Sequence, residues 1–141
     1  MIELRSGSYC LSFQPSQEGY GLYVLQEGKT SPVFATPRPA YLFIKKTTTS
    51  PLTYAASYDN VTEAPDGVTA ESRIETAAGS VFRICDRYTP GAENGFYLQR
   101  TVCIEKAAPA DRGFATKVYL ESPTARTLHD INCFAPGAWY Q

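Results

Sequence analysis

Helical periodicity is what this sequence has least of. No segment of a dozen residues places apolar side chains at i, i+3, i+4 and i+7, so an α-helical bundle is excluded, and no crossover helices exist to make a sheet parallel. There is no run of about eighteen apolar residues, and hence no stretch that reads as a membrane-spanning helix. The opening stretch MIELRSGSYCLSF lacks the basic patch and apolar run of a secretory signal, so the expected location is the cytoplasm if Met1 is the native start. A charge excess is also missing. Thirteen Lys and Arg stand against fourteen Asp and Glu, for a net charge of −1, which gives no reason to expect a nucleic-acid partner. None of the four cysteines, Cys10, Cys85, Cys103 and Cys133, is spaced as C-x-x-C, which argues against a zinc cluster or a redox pair. They lie in apolar or strand-like runs and read as small buried hydrophobes with reduced thiols; two disulfides are the alternative in a secreted protein. The one histidine cannot build a multi-His metal site. No metal and no cofactor is expected.

The 141 residues, 43% hydrophobic and 19% charged, are enough for one domain with a core of normal size, spanning 1–141. Strand signals recur throughout. In GVTAESRIET, Val68, Ala70, Ser72 and Ile74 alternate with Thr69, Glu71, Arg73 and Glu75, a period of two with one face charged. In GSVFRICDRY, Phe82, Ile84 and Tyr88 share a face with the polar Asp86 between them. In GFYLQRTVCIEK, Phe96, Leu98, Val102 and Ile104 share a face interrupted by Arg100. In RGFATKVYLES, Phe114, Thr116, Val118 and Leu120 form one face. The stretch TPGAENG, with its Pro-Gly and Asn-Gly, marks a chain reversal and predicts an antiparallel hairpin. The first half is less regular. SYCLSF, GYGLYVL, PVFAT and YLFIKKT read as short strands, and TTTSPLTYAASYDNVTEAPDG reads as a long connection with one more strand. Short strands at roughly ten-residue spacing predict an all-β fold, an antiparallel two-sheet β-sandwich with little or no helix.

Candidate chemistry is sparse. His129 lies beside Asp130 and near Cys133, but strand geometry sends neighbouring side chains to opposite faces, which argues against a Cys-His-Asp site. Glycoside hydrolysis needs two carboxyls roughly 5–10 Å apart. Glu71 and Glu75 share a strand face at about 13 Å, and Asp59, Glu63 and Asp66 fall in the expected loop, so a solvated face is the better reading. No catalytic residue is assigned. Asp86 and Arg100 fall on faces otherwise apolar, and a buried charge is costly unless paired. Asp86 or a neighbouring acid is therefore expected to meet Arg100 across the hairpin, as a structural ion pair or as part of a ligand contact. The tyrosines and the single Trp139 offer flat apolar faces with polar tips, suited to sugar rings or to strand packing.

The order of a DRY strand, a turn, GFYLQRTVCIEK, GFATKVYLES and CFAPGAWYQ resembles the N-terminal β-sandwich domain that precedes the helical barrel in six-hairpin glycosidase-like carbohydrate-active enzymes. Asp86, Tyr88, Leu98, Arg100, Val102, Pro136, Gly137, Trp139 and Tyr140 occupy the matching places, and the resemblance covers residues 67–141. It implies a super-sandwich-like domain forming the N-terminal part of a longer protein. Its partner would be a helical catalytic domain of the same polypeptide, a glycoside hydrolase, and the fragment itself would have no activity. Trp139, Tyr140, Tyr88 and Tyr97 would then contact carbohydrate or that second domain. The alternative is a self-contained carbohydrate-binding or structural interaction module.

Overall fold

The computed structural model describes residues 1–47, 49–117 and 120–123. Among the described residues eleven strands run β1 (Ile2–Ser6), β2 (Tyr9–Ser16), β3 (Gly19–Gln26), β4 (Phe34–Thr36), β5 (Ala40–Lys46), β6 (Leu52–Ala56), β7 (Asn60–Ala64), β8 (Gly67–Glu75), β9 (Val81–Pro90), β10 (Phe96–Lys106) and β11 (Asp111–Thr116). There is no helix among the described residues, so none is long and apolar enough to cross a membrane.

All pairings among the described residues are antiparallel, and they divide into three sheets, where two were expected: β1-β2-β3-β4, β10-β9-β8-β7 and β11-β5-β6. The architecture is sandwich-like because the second sheet is faced by both of the others. The first sheet approaches it through β1 against β7 and β9 and through β3 against β7; the third approaches it through β6 against β8. One hydrophobic core draws on all three: Leu11, Phe13 and Leu22 from the first, Leu42 and Ile44 from the third, Val68, Ala70, Ile74, Phe82 and Ile84 from the second. The period-two reading of β8 is visible in this burial, with Val68, Ala70, Ser72 and Ile74 inside and Arg73 and Glu75 outside.

Two strands, β6 and β7, occupy the region where one was expected, and β1 adds a strand before SYCLSF. Glu63, expected in a loop, lies in β7. Ile104, expected on the inner face, is exposed; it pairs with Phe82 at the last position before the register of β10 shifts between Ile104 and Lys106. Phe114 is also partly exposed, yet its ring meets the edge of Phe82 at 5.4 Å and helps pin the third sheet to the second.

The TPGAENG reversal joins β9 to β10. Gly91 N donates to Gly95 O and Gly95 N to Ala92 O, while Glu93 and Asn94 adopt φ of 53° and 68°. Asn94 is among the residues that tolerate this left-handed region best. Its Oδ1 accepts from Ser8 N at 2.9 Å, and Ser6 Oγ donates to Gly91 O, so the turn clamps the β1–β2 turn at one end of the molecule. Gly19 performs a similar task elsewhere. Its φ is +135°, and a Cβ there would fall 2.3 Å from the carbonyl oxygen of Tyr58. The close approach lets Tyr20 and Tyr58 exchange two backbone hydrogen bonds, which tie β3 to the link between β6 and β7.

A second clamp holds the third sheet. Asp111 on β11 receives Lys46 Nζ from β5 and the hydroxyl of Thr76 from the β8–β9 turn, and both charged side chains are nearly buried. Burial alone would raise the Asp111 carboxyl; the hydrogen bonds from Lys46, Ser80 and Thr76 outweigh it and hold the group at about 2. A depressed carboxyl stabilises the fold at pH values above its unfolded value near 3.8, and that contribution is lost as pH falls towards 2. Urea midpoints measured between pH 5 and pH 2 are therefore expected to fall more steeply for the wild type than for Asp111→Asn. Parallel slopes would refute the clamp.

Candidate functional site

The charged pair at the centre of the molecule is built from strand register. Asp86 on β9 stands directly opposite Arg100 on β10, and period two turns both towards the core. Asp86 is 0% exposed and the Arg100 side chain 8%. Arg100 grips the carboxylate with two parallel bonds, Nε to Oδ1 at 2.6 Å and Nη2 to Oδ2 at 2.5 Å. Its other donors are also committed: Nη2 to Pro39 O at 3.1 Å, and Nη1 to Thr116 Oγ1 at 2.8 Å and Lys117 O at 2.9 Å. Every N–H of the guanidinium therefore has a partner.

Two tyrosines complete the group. Tyr58, wholly buried, donates its hydroxyl proton to Asp86 Oδ2 at 2.5 Å. Because that proton is committed, the 2.6 Å contact between the two hydroxyls requires Tyr88 to donate to Tyr58. Burial, and then the negative charge nearby, push both phenols well above their ordinary value, so they remain donors at every physiological pH. Burial pulls Arg100 down, but the bonds to Asp86 outweigh it and raise the group further. The chain Tyr88, Tyr58, Asp86, Arg100 thus joins the second sheet to β11, to the start of β5 and to the β6–β7 link. No member is left with a free polar group to attack, abstract or bind, and among the described residues no buried side-chain polar atom lacks a partner. The arrangement works as a structural pin.

The other expected contacts are scattered. Tyr88 is buried, with its ring edge-on to Phe13 at 5.2 Å, and offers no flat face to solvent. Tyr97, 66% exposed, stands on the outer face of β10 beside Gly91. Trp139, Tyr140, Pro136, Gly137, His129 and Cys133 lie outside the described residues. Asp59 accepts from Arg73 N and Asp66 pairs with Arg87. Glu71 and Glu75 lie on the outward face of β8. Among the described residues no group of three or more His, Cys, Asp or Glu is placed to hold a metal, and Cys10, Cys85 and Cys103 are free thiols. Burial pushes the Cys10 and Cys85 thiols up, away from reactive thiolate.

Sequence reading did not anticipate one of the concavities. It is an apolar cleft of about 400 Å³ where the first and second sheets splay apart. Leu11, Leu22, Val24, Phe34, Phe96 and Leu98 form its walls. Asn94 and the tyrosines Tyr9 and Tyr88 are the polar residues at its margin, and Leu120 closes one side. The signal for it was the inward set Phe96 and Leu98 on β10, an edge strand that the first sheet does not fully cover.

The fold defines a class, an all-β sandwich-like domain with a buried ionic pin and an apolar cleft. Comparison with known protein families, curated proteins and solved structures finds no match to this chain.

Proposed function

We propose that this chain is a non-catalytic β-sandwich domain that supports another polypeptide unit, and that its parent is a carbohydrate-active enzyme whose helical domain carries the chemistry. The observation that carries the supporting role is the cleft. A site for a sugar or a small polar substrate needs convergent polar groups to orient it. The wall here is Leu, Val and Phe, a surface suited to apolar side chains of a polypeptide. The carbohydrate part of the reading rests on the Asp86-x-Tyr88 and Leu98-x-Arg100-x-Val102 pattern and on Trp139 and Tyr140.

A second reading, a self-contained carbohydrate-binding module, is favoured by one feature. Tyr97 presents an exposed ring beside the Gly91–Gly95 turn, a surface on which a sugar could stack. A glycan array probed with the isolated chain separates the two. The supporting role predicts no selective signal and no change on Tyr97→Ala, whose exposed ring should leave the melting temperature nearly unmoved. Selective binding that Tyr97→Ala abolishes would overturn the supporting role in favour of the module.

A further inference from the structure

A second cleft, of about 390 Å³, opens where β9 and β10 of the second sheet meet β11 of the third. Phe82, Ile104 and Phe114 give it an apolar lining, and two of these are large side chains left in water: Ile104 is 52% exposed and Phe114 40%. The volume falls near the lower end of the about 300–1,000 Å³ usual for small-molecule sites. Two charged residues, Asp111 and Arg112, line the same cleft. Successive residues of a regular strand point to opposite faces. Here the register of β11 against β5 shifts between Asp111 and Gly113, and Arg112 stands at that irregularity without a pairing partner. The two charges differ in what they meet. Asp111 is neutralised by Lys46 and bonded by the Thr76 hydroxyl. Arg112 is exposed, and its Nε donates to Thr47 Oγ1 at 3.1 Å, while no acceptor among the described residues meets its Nη1 or Nη2. Every other described arginine faces a carboxylate.

We propose that this cleft binds a small amphiphilic carboxylate, a hydrocarbon body ending in one carboxylate group. The hydrocarbon lies against Phe82, Ile104 and Phe114, and the carboxylate meets the Nη1 and Nη2 edge of Arg112. That edge presents two N–H groups side by side, a match for the two oxygens of a carboxylate. Charge selects the head group. Asp111 and Lys46 cancel, so Arg112 leaves the cleft with one positive charge in excess. Burial of the hydrocarbon supplies affinity, and Arg112 selects the anion over an uncharged molecule of the same shape. This inference goes beyond the supporting role proposed above. It uses a different cleft, and its failure would leave that role untouched.

Octanoate, kept below the concentration at which it self-associates, is the probe, and octanol is its uncharged control. Each is titrated into the full chain and followed by the amide signals in NMR spectra. Octanoate should bind about tenfold more tightly than octanol, the worth of one charge-assisted pair. It should move the signals of Ile104, Gly113 and Phe114. Arg112→Gln should remove the preference for octanoate and leave octanol binding unchanged, and Arg112→Lys should keep part of it. Ile104→Ser should weaken both probes by about threefold, through lost apolar contact. Arg112 and Ile104 are both exposed, so these variants should keep the wild-type sheet signal by circular dichroism. Equal affinity for the two probes, no binding of octanoate, or octanoate binding that Arg112→Gln leaves unchanged would overturn the proposal. So would shifts confined to Leu11, Leu22 and Leu98, which would put the probe in the first cleft.

Discussion

Arg100→Ala is expected to lower the unfolding free energy by about 3–5 kcal/mol, the usual cost of stranding a buried charge. Asp86 would keep its place in the core with only the Tyr58 hydroxyl as partner, and the carbonyl of Pro39 and the Thr116 hydroxyl would lose their donor. Domains of this kind are stable by about 5–15 kcal/mol in all, so the loss is a large share. For a chain near this length it corresponds to a fall of about 10 °C in melting temperature. The series around it tests the geometry. Arg100→Lys keeps the charge but cannot make the paired Nε and Nη2 bonds, and should fall between Ala and wild type. Tyr58→Phe removes the bond to a carboxylate that Arg100 still holds and also leaves the buried Tyr88 hydroxyl without its acceptor, and should cost about 2–3 kcal/mol. Differential scanning calorimetry reads all three. A wild-type melting point in Arg100→Ala would exclude a buried pair and return Arg100 to a solvated role.

Phe13→Ala is the second large effect. Phe13 is wholly buried on β2 and lies edge-on to Tyr88 at 5.2 Å, with Tyr58 at 6.3 Å. It is therefore the apolar wall against which the two phenols are held in line with Asp86. Truncation removes the ring and leaves a cavity, which costs about 3–5 kcal/mol in comparable cores. Phe13→Leu should cost about half as much, because the site is partly refilled. Urea titration gives the measurement: the midpoint should drop while the slope stays constant. A loss under about 1 kcal/mol would mean that the cavity collapses and that Phe13 does not position the tyrosines.

How far the sequence speaks depends on how local the cause is. Strands β8, β9 and β10 were legible because their alternation is decided residue by residue. The Asp86–Arg100 contact follows from two charges on apolar faces of one hairpin. The rest of the pin was not legible. Tyr58 reaches Asp86 from a linker 28 positions earlier, and Pro39 and Thr116 meet Arg100 only because β11 returns to β5. Nothing in DNVTEAPDG or PRPAYLF announces that meeting. The sequence of β1 did carry a signal, with Ile2 and Leu4 alternating with Glu3 and Arg5, but five residues are too few to stand out. β6 and β7 were hidden by a Pro-, Ser- and Thr-rich composition that usually marks loops. The splitting of one layer into two sheets follows from the short β4 and the late return of β11, and no period-two pattern encodes either.

The pairing of β11 with β5 also sets an order of events during synthesis. The first sheet is built from neighbours in sequence, so it can close as it leaves the ribosome. The third begins as the two-stranded β5–β6 ribbon, and Leu42 receives its partner Thr116 only after the entire second sheet has been made. Such a ribbon is marginal by itself, and the distant pairing must first meet the cost of a long loop. A nascent chain stalled before Asp111 therefore displays the bare flank of β5 to its surroundings, and that flank is where misassembly with a neighbouring chain would start.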